Sequence, residues 1–206
     1  NLLLKDSGTL VIETGYYPAQ FKINMFDYIY HEHYSYYSIT FLNTFFKRFN
    51  MQIIDIEETR PKGGSIRIYI KKINDNDRIE SIKLKKYLIL ERQRKIFTLN
   101  YFRKFKKRIK KQKILLRNFL FELKDKNNLI GYGASHSTTV LLHHFDIGKN
   151  IKYLVDDNKI KHNLYSPGYH LKVYPSKKIK GNKYVLILAW QHAKSIIERN
   201  KNFRKN

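Results

Sequence analysis

A chain of 206 residues, 42% of them hydrophobic, is long enough to bury a sizeable core as one large domain or two small ones. Its formal net charge of +24 attracts nucleic acid, anionic membrane and phosphorylated metabolites non-specifically, but lysine, asparagine and isoleucine are abundant throughout, so the charge reads as a drift of the whole composition. The absence of cysteine excludes disulfides and thiolate-ligated zinc within these residues and fits a reducing compartment, and with no visible signal peptide or membrane-length apolar run a cytoplasmic location is expected.

The chain opens on Asn1 without a methionine, and its first apolar residues run straight into a turn, which reads as a piece of a longer protein. Leu2–Lys5 reads as the end of a helix, Asp6–Gly8 as its turn and Thr9–Glu13 as a buried strand, after which Gly15 and Pro18 interrupt. From Phe26 to Ser38 two histidines, a glutamate and a dense set of tyrosines fall together. Two readings stand for this stretch. One is a buried tyrosine-rich turn whose polar tips bond to backbone, and the other, favoured for the cluster as a whole, is a site. In extended backbone His31 and His33 share one face, with Tyr30 and Glu32 on the other. A histidine near a carboxylate and phenols suits general acid–base chemistry, such as proton abstraction next to a carbonyl. A metal held with His143 or His144 as a third ligand is conceivable, but the spacing is unlike that of a helical zinc site, and no metal is expected.

Ser38 is placed to cap a helix carrying Phe41, Leu42, Phe45, Phe46 and Phe49, closed by Asn50. Met51–Glu57 and Ser65–Lys71 read as strands of an antiparallel hairpin joined through Gly63 and Gly64, with Ile66, Ile68 and Ile70 on one face. Asn74–Asp77 is a polar break. Residues 78–126 are nearly free of glycine and proline and read as one long or two consecutive helices with a break near Thr98–Asn100. Within them Arg103–Lys113 is almost entirely basic, while Phe105 and Ile109 begin an apolar stripe that continues through Leu116 and Leu120. A helix with a solvated basic face is the simpler reading of this run and nucleic-acid binding the sharper one.

A second α/β unit follows, its strand–helix alternation predicting a small parallel sheet. Leu129–Ala134 is a strand entering a glycine turn, and Ser135 or Ser137 caps a helix to Phe145 that Gly148 ends. Ile151–Val155 is the next strand, Tyr165–Gly168 a turn, Leu171–Tyr174 a short strand, Tyr184–Ala189 a buried strand and Gln191–Asn200 a final helix. The Gly131–Gly133 turn before a helix suits a phosphate, and Asp156 or Asp157 stands where an acid reaches a ribose hydroxyl in a dinucleotide fold. His136 replaces the third glycine of that fingerprint, so a structural tight turn and a nucleotide site remain equal alternatives.

Tyr30–His33, Gly63–Ser65, Gly131–Ser135, Val155–Asn158, Tyr165–Gly168 and Leu186–Trp190 occur in the order found in sugar C-methyltransferases, and the chain resembles the C-terminal portion of that family. The family uses S-adenosylmethionine to methylate C3 of nucleotide-linked 4-keto-deoxy sugars. The resemblance implies an α/β chain: the tail of a class I methyltransferase sheet over residues 1–75, a helical connector over 76–127, and a Rossmann-like parallel domain over 128–206. It implies that His33 removes the C3 proton, that the enolate attacks the sulfonium methyl, that Glu32 holds the sugar or orients His33, and that Tyr30 bonds near the enolate oxygen. Gly133, Ala134, Ser135, Asn158 and Tyr165 are the implied contacts to a nucleotide-diphosphate sugar. The S-adenosylmethionine site and a zinc module are implied to lie upstream of Asn1, which leaves the chain inactive alone. Ser135–Thr139 departs from the version of this segment found in some members, so the sugar is left open. The alternative is a non-catalytic Rossmann-like module that binds a nucleotide-sugar or dinucleotide. A nucleic-acid-associated protein ranks below both.

Overall fold

Isoleucine at every second position from Ile66 to Ile70 builds the first core, because a period of two places all three side chains on one face of a strand. In the computed structural model, which describes residues 3–73, 81–123, 128–179, 184–201 and 203, all three are fully buried. The chain divides into two compact units, Asn1–Met25 with Ser35–Arg108, and Phe26–Tyr34 with Ile109–Asn206.

In the first unit β1 (Leu10–Gly15), β2 (Met51–Thr59) and β3 (Ser65–Lys72) form an antiparallel sheet in the order β1-β3-β2. A register shift between Ile53 and Asp55 lets Ile53 and Ile56, three residues apart, both face the core. On the opposite face Arg67 pairs in register with Glu13 and Glu57, at 2.8 and 3.2 Å. β1 is not the buried strand expected. It lies at the sheet edge with its residues alternating, and Val11 is half exposed. Among the described residues no helix precedes it: Leu3 and Leu4 are in a turn and bend with Leu3 fully exposed, while Leu2 lies outside them.

Pro18 starts a helix rather than interrupting the chain. It stands in the first turn of α1 (Tyr17–Lys22), where its missing N–H removes no intrahelical bond. α2 (Ile39–Lys47) is capped by the Ser38 hydroxyl, which accepts from Phe41 N–H at 3.2 Å. Its buried stripe is Ile39, Leu42 and Phe46, so Phe41, Phe45 and Phe49 are left about half exposed. The helical stretch expected after the hairpin is two helices, α3 (Ile82–Gln93), which falls in the first unit, and α4 (Leu99–Glu122), within which the division between the units falls. The break falls at residues 94–98, where Lys95 takes a positive φ and the Thr98 hydroxyl accepts from Tyr101 N–H. The polar break at Asn74–Asp77 lies outside the described residues. On α3 Glu91 is 1% exposed and accepts from the Tyr16 hydroxyl, the Ile39 and Thr40 N–H groups and the Thr40 hydroxyl, so it caps the start of α2 from another helix.

The second unit holds the parallel sheet expected. β4 (Leu129–Tyr132), β5 (Leu154–Asp156), β6 (Val173–Pro175) and β7 (Tyr184–Ile187) lie in the order β6-β5-β4-β7. The order reverses at β4, and that reversal puts a crevice beyond the carboxyl ends of the strands. β7 is an edge strand, half buried rather than buried. α5 (His136–Phe145) is capped by Ser135 and ends at Asp146 in the left-handed conformation, two residues before the glycine expected to stop it. The final helix starts later than expected: a 3-10 turn over Trp190–His192 precedes α6 (Ala193–Arg199).

Candidate functional site

The stretch from Phe26 to Tyr34 makes its contacts within the second unit, where it forms a strap. Phe26 stacks on Phe145 at the end of α5, ring centroids 4.9 Å apart. Asp27, 1% exposed, accepts from the Trp190 indole N–H at 2.8 Å, and Tyr28 is hydrogen-bonded to the Gln191 side chain. Farther along, the Tyr30 and His31 rings lie 5.3 and 5.2 Å from that of His136, the first residue of α5. The strap is short and turned rather than extended: Tyr30 N–H donates to Tyr28 and His33 N–H to Tyr30, both to carbonyls. The turn brings the His33 Nε2 to 3.1 Å from the Tyr30 hydroxyl and the His33 ring to 5.1 Å from Tyr28.

Beside the strap, at the carboxyl ends of β4 and β7, is a cleft of about 330 Å³. Tyr28 and Tyr30 line it from the strap, Gly133 from the end of β4, and Trp190 from the turn after β7. Gly133 is at φ +109, and a Cβ there would stand 2.6 Å from the Ala189 Cβ, so glycine is required by both backbone and space. His136 and Ser137, at the first two positions of α5, also line the cleft, and N–H groups at those positions have no acceptor within the helix.

Asp156, the last residue of β5, and Asp157 after it both line the cleft, the first mostly buried and the second exposed. Asp156 accepts from Ala134 N–H at 2.7 Å and Asn158 N–H at 2.8 Å, and Lys161 lies 3.3 Å away. Asp157 accepts from the Tyr132 hydroxyl and pairs with Arg199 at 2.7 Å. Burial works to raise the Asp157 pKa, but bonds from Ser176, Tyr132 and Arg199 outweigh it and hold the carboxyl below its usual range. Burial raises Asp27 against the Trp190 bond, and it also raises the phenols of Tyr28 and Tyr132. His144 moves down, first through burial and then through the nearby Lys113 ammonium.

Residues 60–206 match the family of C-methyltransferase C-terminal domains. The chain belongs to that family. It is also 27% identical over 208 residues to C-methyltransferase NovU of Streptomyces niveus, across 99% of this chain and 49% of the relative, so it spans about half the length of that protein.

In this C-methyltransferase C-terminal chain, the residues singled out from the sequence fall into two groups. Tyr30, Gly133 and Ser135 line the cleft, and His33 touches Tyr30. Ala134 gives its N–H to Asp156, and Asn158 caps the 3-10 turn after β5 by accepting from Ile160 N–H. Tyr165 is 60% exposed in a bridge to Lys172, and neither it nor Asn158 lines the cleft. Glu32 is exposed and its carboxylate lies 3.9 Å from the His31 imidazole. His143 stacks on Tyr169 and His144 lies against Phe26, and no group of three or more potential metal ligands gathers among the described residues. Tyr28, from the tyrosine-rich cluster, and Asp156 and Asp157 also line the cleft, as do His136, Lys161 and Arg199, whose spacing does not mark them for it. Trp190 and Gln191 carry a faint signal, since they follow the last strand where a parallel sheet opens its crevice. No helix among the described residues is long and apolar enough to cross a membrane.

Proposed function

We propose that this chain supplies the proton-abstracting base and the nucleotide-sugar cleft of an S-adenosylmethionine-dependent C-methyltransferase acting at C3 of a nucleotide-linked 4-keto-deoxy sugar. The observation that carries the reading is the His33–Tyr30 pair, 3.1 Å apart, on a strap whose tyrosines line a cleft at the carboxyl ends of β4 and β7. Family membership supports it, and so does a cleft volume of about 330 Å³, within the range of small-ligand sites. The antiparallel order β1-β3-β2 supports reading residues 1–75 as the tail of a methyltransferase sheet.

The His33 imidazole takes the C3 proton, which the neighbouring C4 ketone acidifies. The C3–H bond breaks, an N–H bond forms, and the electron pair moves into a C3–C4 double bond as charge gathers on the C4 oxygen. Tyr30 donates its phenolic hydrogen to that oxygen. Because the Tyr30 hydroxyl sits on the His33 Nε2, substrate must exchange this contact: as the phenol turns to the ketone, the ring nitrogen is freed. Glu32, exposed and 3.9 Å from the His31 imidazole, is assigned a sugar hydroxyl in this reading rather than the orienting of His33. The N–H groups of His136 and Ser137 take the diphosphate, with Lys161 and Arg199 beside them and Gly133 admitting it close to the backbone.

In this reading the site for S-adenosylmethionine lies outside the described residues. After β4 the Ala134 N–H is occupied by Asp156, and the two carboxylates of the cleft are already held, Asp156 by the Ala134 and Asn158 N–H groups and Asp157 by Tyr132 and Arg199. The methyl donor is therefore assigned outside these residues, whose own chemistry ends at the proton. The test titrates the chain with uridine- and thymidine-diphosphate glucose, NAD and S-adenosylmethionine. The nucleotide-sugars are expected to bind and the other two to fail. In a chain extended to the relative's full length, His33→Ala is expected to lower turnover by about a hundredfold or more, with nucleotide-sugar affinity kept. Undiminished turnover would remove His33 from the reaction.

A further inference from the structure

A buried carboxyl group that holds a single side-chain hydrogen bond is unfavourable for stability, and Asp27 is such a group. It is 1% exposed, one oxygen accepts from the Trp190 indole at 2.8 Å, and Oδ1 finds no partner among the described residues. An apolar residue of similar size would fill this place without that penalty, so the reason for an acid lies in what it grips. Asp27 stands one residue before Tyr28, whose side chain bonds to Gln191, and three before Tyr30. Trp190 and Gln191 are neighbours in the turn after β7, and both line the cleft. Two adjacent strap residues are thus clipped to two adjacent residues of the cleft wall. Phe26 fixes the strap on the other side by stacking on Phe145. Beyond these anchors, the Tyr30–His33 pair is held by its own turn and by the His136 ring.

We infer that Asp27 is a positioning residue: by accepting the Trp190 indole N–H it fixes the strap against the cleft wall and so sets where Tyr30 and His33 stand. The inference rests on the reading of the cleft as the sugar-nucleotide site and of His33 as the base, but the contact itself is testable without ligand. Trp190 is the single tryptophan of the sequence, so the emission reads the surroundings of this indole with no second one contributing. The amides of Tyr30 and His33, both bonded inside the strap, report on its order by hydrogen exchange.

Three variants are compared: Asp27→Leu, which has no acceptor; Trp190→Phe, which has no donor; and Asp27→Asn, which keeps an amide oxygen for the indole. Asp27→Leu and Trp190→Phe are expected to speed exchange at Tyr30 and His33 by about tenfold or more while the amides of β4 and β5 stay unchanged. Asp27→Asn is expected to stay within about threefold of the parent, with its tryptophan emission preserved. The Asp27→Leu, Trp190→Phe double variant is expected to be no worse than either single one, because both remove the same bond. Should Asp27→Leu fail to fold, Trp190→Phe at the partly exposed cleft wall carries the test. Exchange at Tyr30 and His33 unchanged in Trp190→Phe, additive effects in the double variant, or Asp27→Asn behaving like Asp27→Leu would each overturn the inference. Titration with thymidine-diphosphate glucose separates the two claims: a parent chain that does not bind it refutes the ligand reading, while the exchange result still decides the role of Asp27.

Discussion

Glu91 is the residue on which the first unit is most exposed to a single change. Its carboxylate accepts four hydrogen bonds at 2.5–2.9 Å, two of them from the first N–H groups of α2 and one from the buried Tyr16 hydroxyl. Glu91→Ala leaves both N–H groups without an acceptor, a loss of about 1 kcal/mol or more each by analogy with N-caps. It also strands the Tyr16 phenol, which adds about 1–3 kcal/mol for a buried group left without its partner. Allowing for non-additivity within one network, the expected cost is about 4 kcal/mol. For a chain of this size that lowers the thermal midpoint by about 10 °C, read by circular dichroism or calorimetry. Glu91→Gln keeps the shape and one acceptor oxygen but loses the charge, and is expected to cost about half as much. A loss for Glu91→Ala below about 1 kcal/mol, the value of an average substitution, would refute the claim that this carboxylate joins α3 to α2.

Gly133→Ala forces a Cβ to 2.6 Å from that of Ala189 at a positive φ, and is expected to cost about 1–3 kcal/mol and weaken nucleotide-sugar binding in a calorimetric titration. His144 and Asp157 each lower stability on acidification, while Asp27, held high by burial, opposes them as pH falls toward 3.8. His144, held low, favours its neutral form in the fold, so its contribution is full above the ordinary histidine value of 6.5 and is lost as pH falls through the lowered value. Asp157, also held low, adds a second loss as pH falls below 3.8, and unfolding midpoints across a range from about pH 3 to about pH 8 should show both steps. Replacing Lys104, Lys107 and Lys110 by glutamine on the solvated face of α4 is expected to change stability by less than about 0.5 kcal/mol per site.

Periodicity and caps were legible where local chemistry decides the backbone. Ser38 and Ser135 do cap helices, Ile66–Ile70 do face one core, and Gly133 does follow a parallel strand, although Gly131 and Tyr132, read as part of its turn, lie inside that strand. Burial was less legible. β1 and β7 carry the same apolar residues as inner strands and are edges, because the number of neighbours a strand acquires is not written in its own residues. The Phe41, Phe45 and Phe49 side chains likewise belong to the expected helix but miss its buried stripe.

From its residues alone this chain declared the family, the glycine turn and the cluster of histidine, glutamate and tyrosine around residue 31, since composition and order carry those directly. Tertiary structure alone decided that Asp27 meets Trp190 across 163 positions, that Tyr30 rather than Glu32 is the partner of His33, and that Asp156 and Asp157 are tied to Ala134 and Tyr132. The reason is that a hydrogen bond between distant residues depends on where two backbones bring their side chains, and no local pattern records that distance.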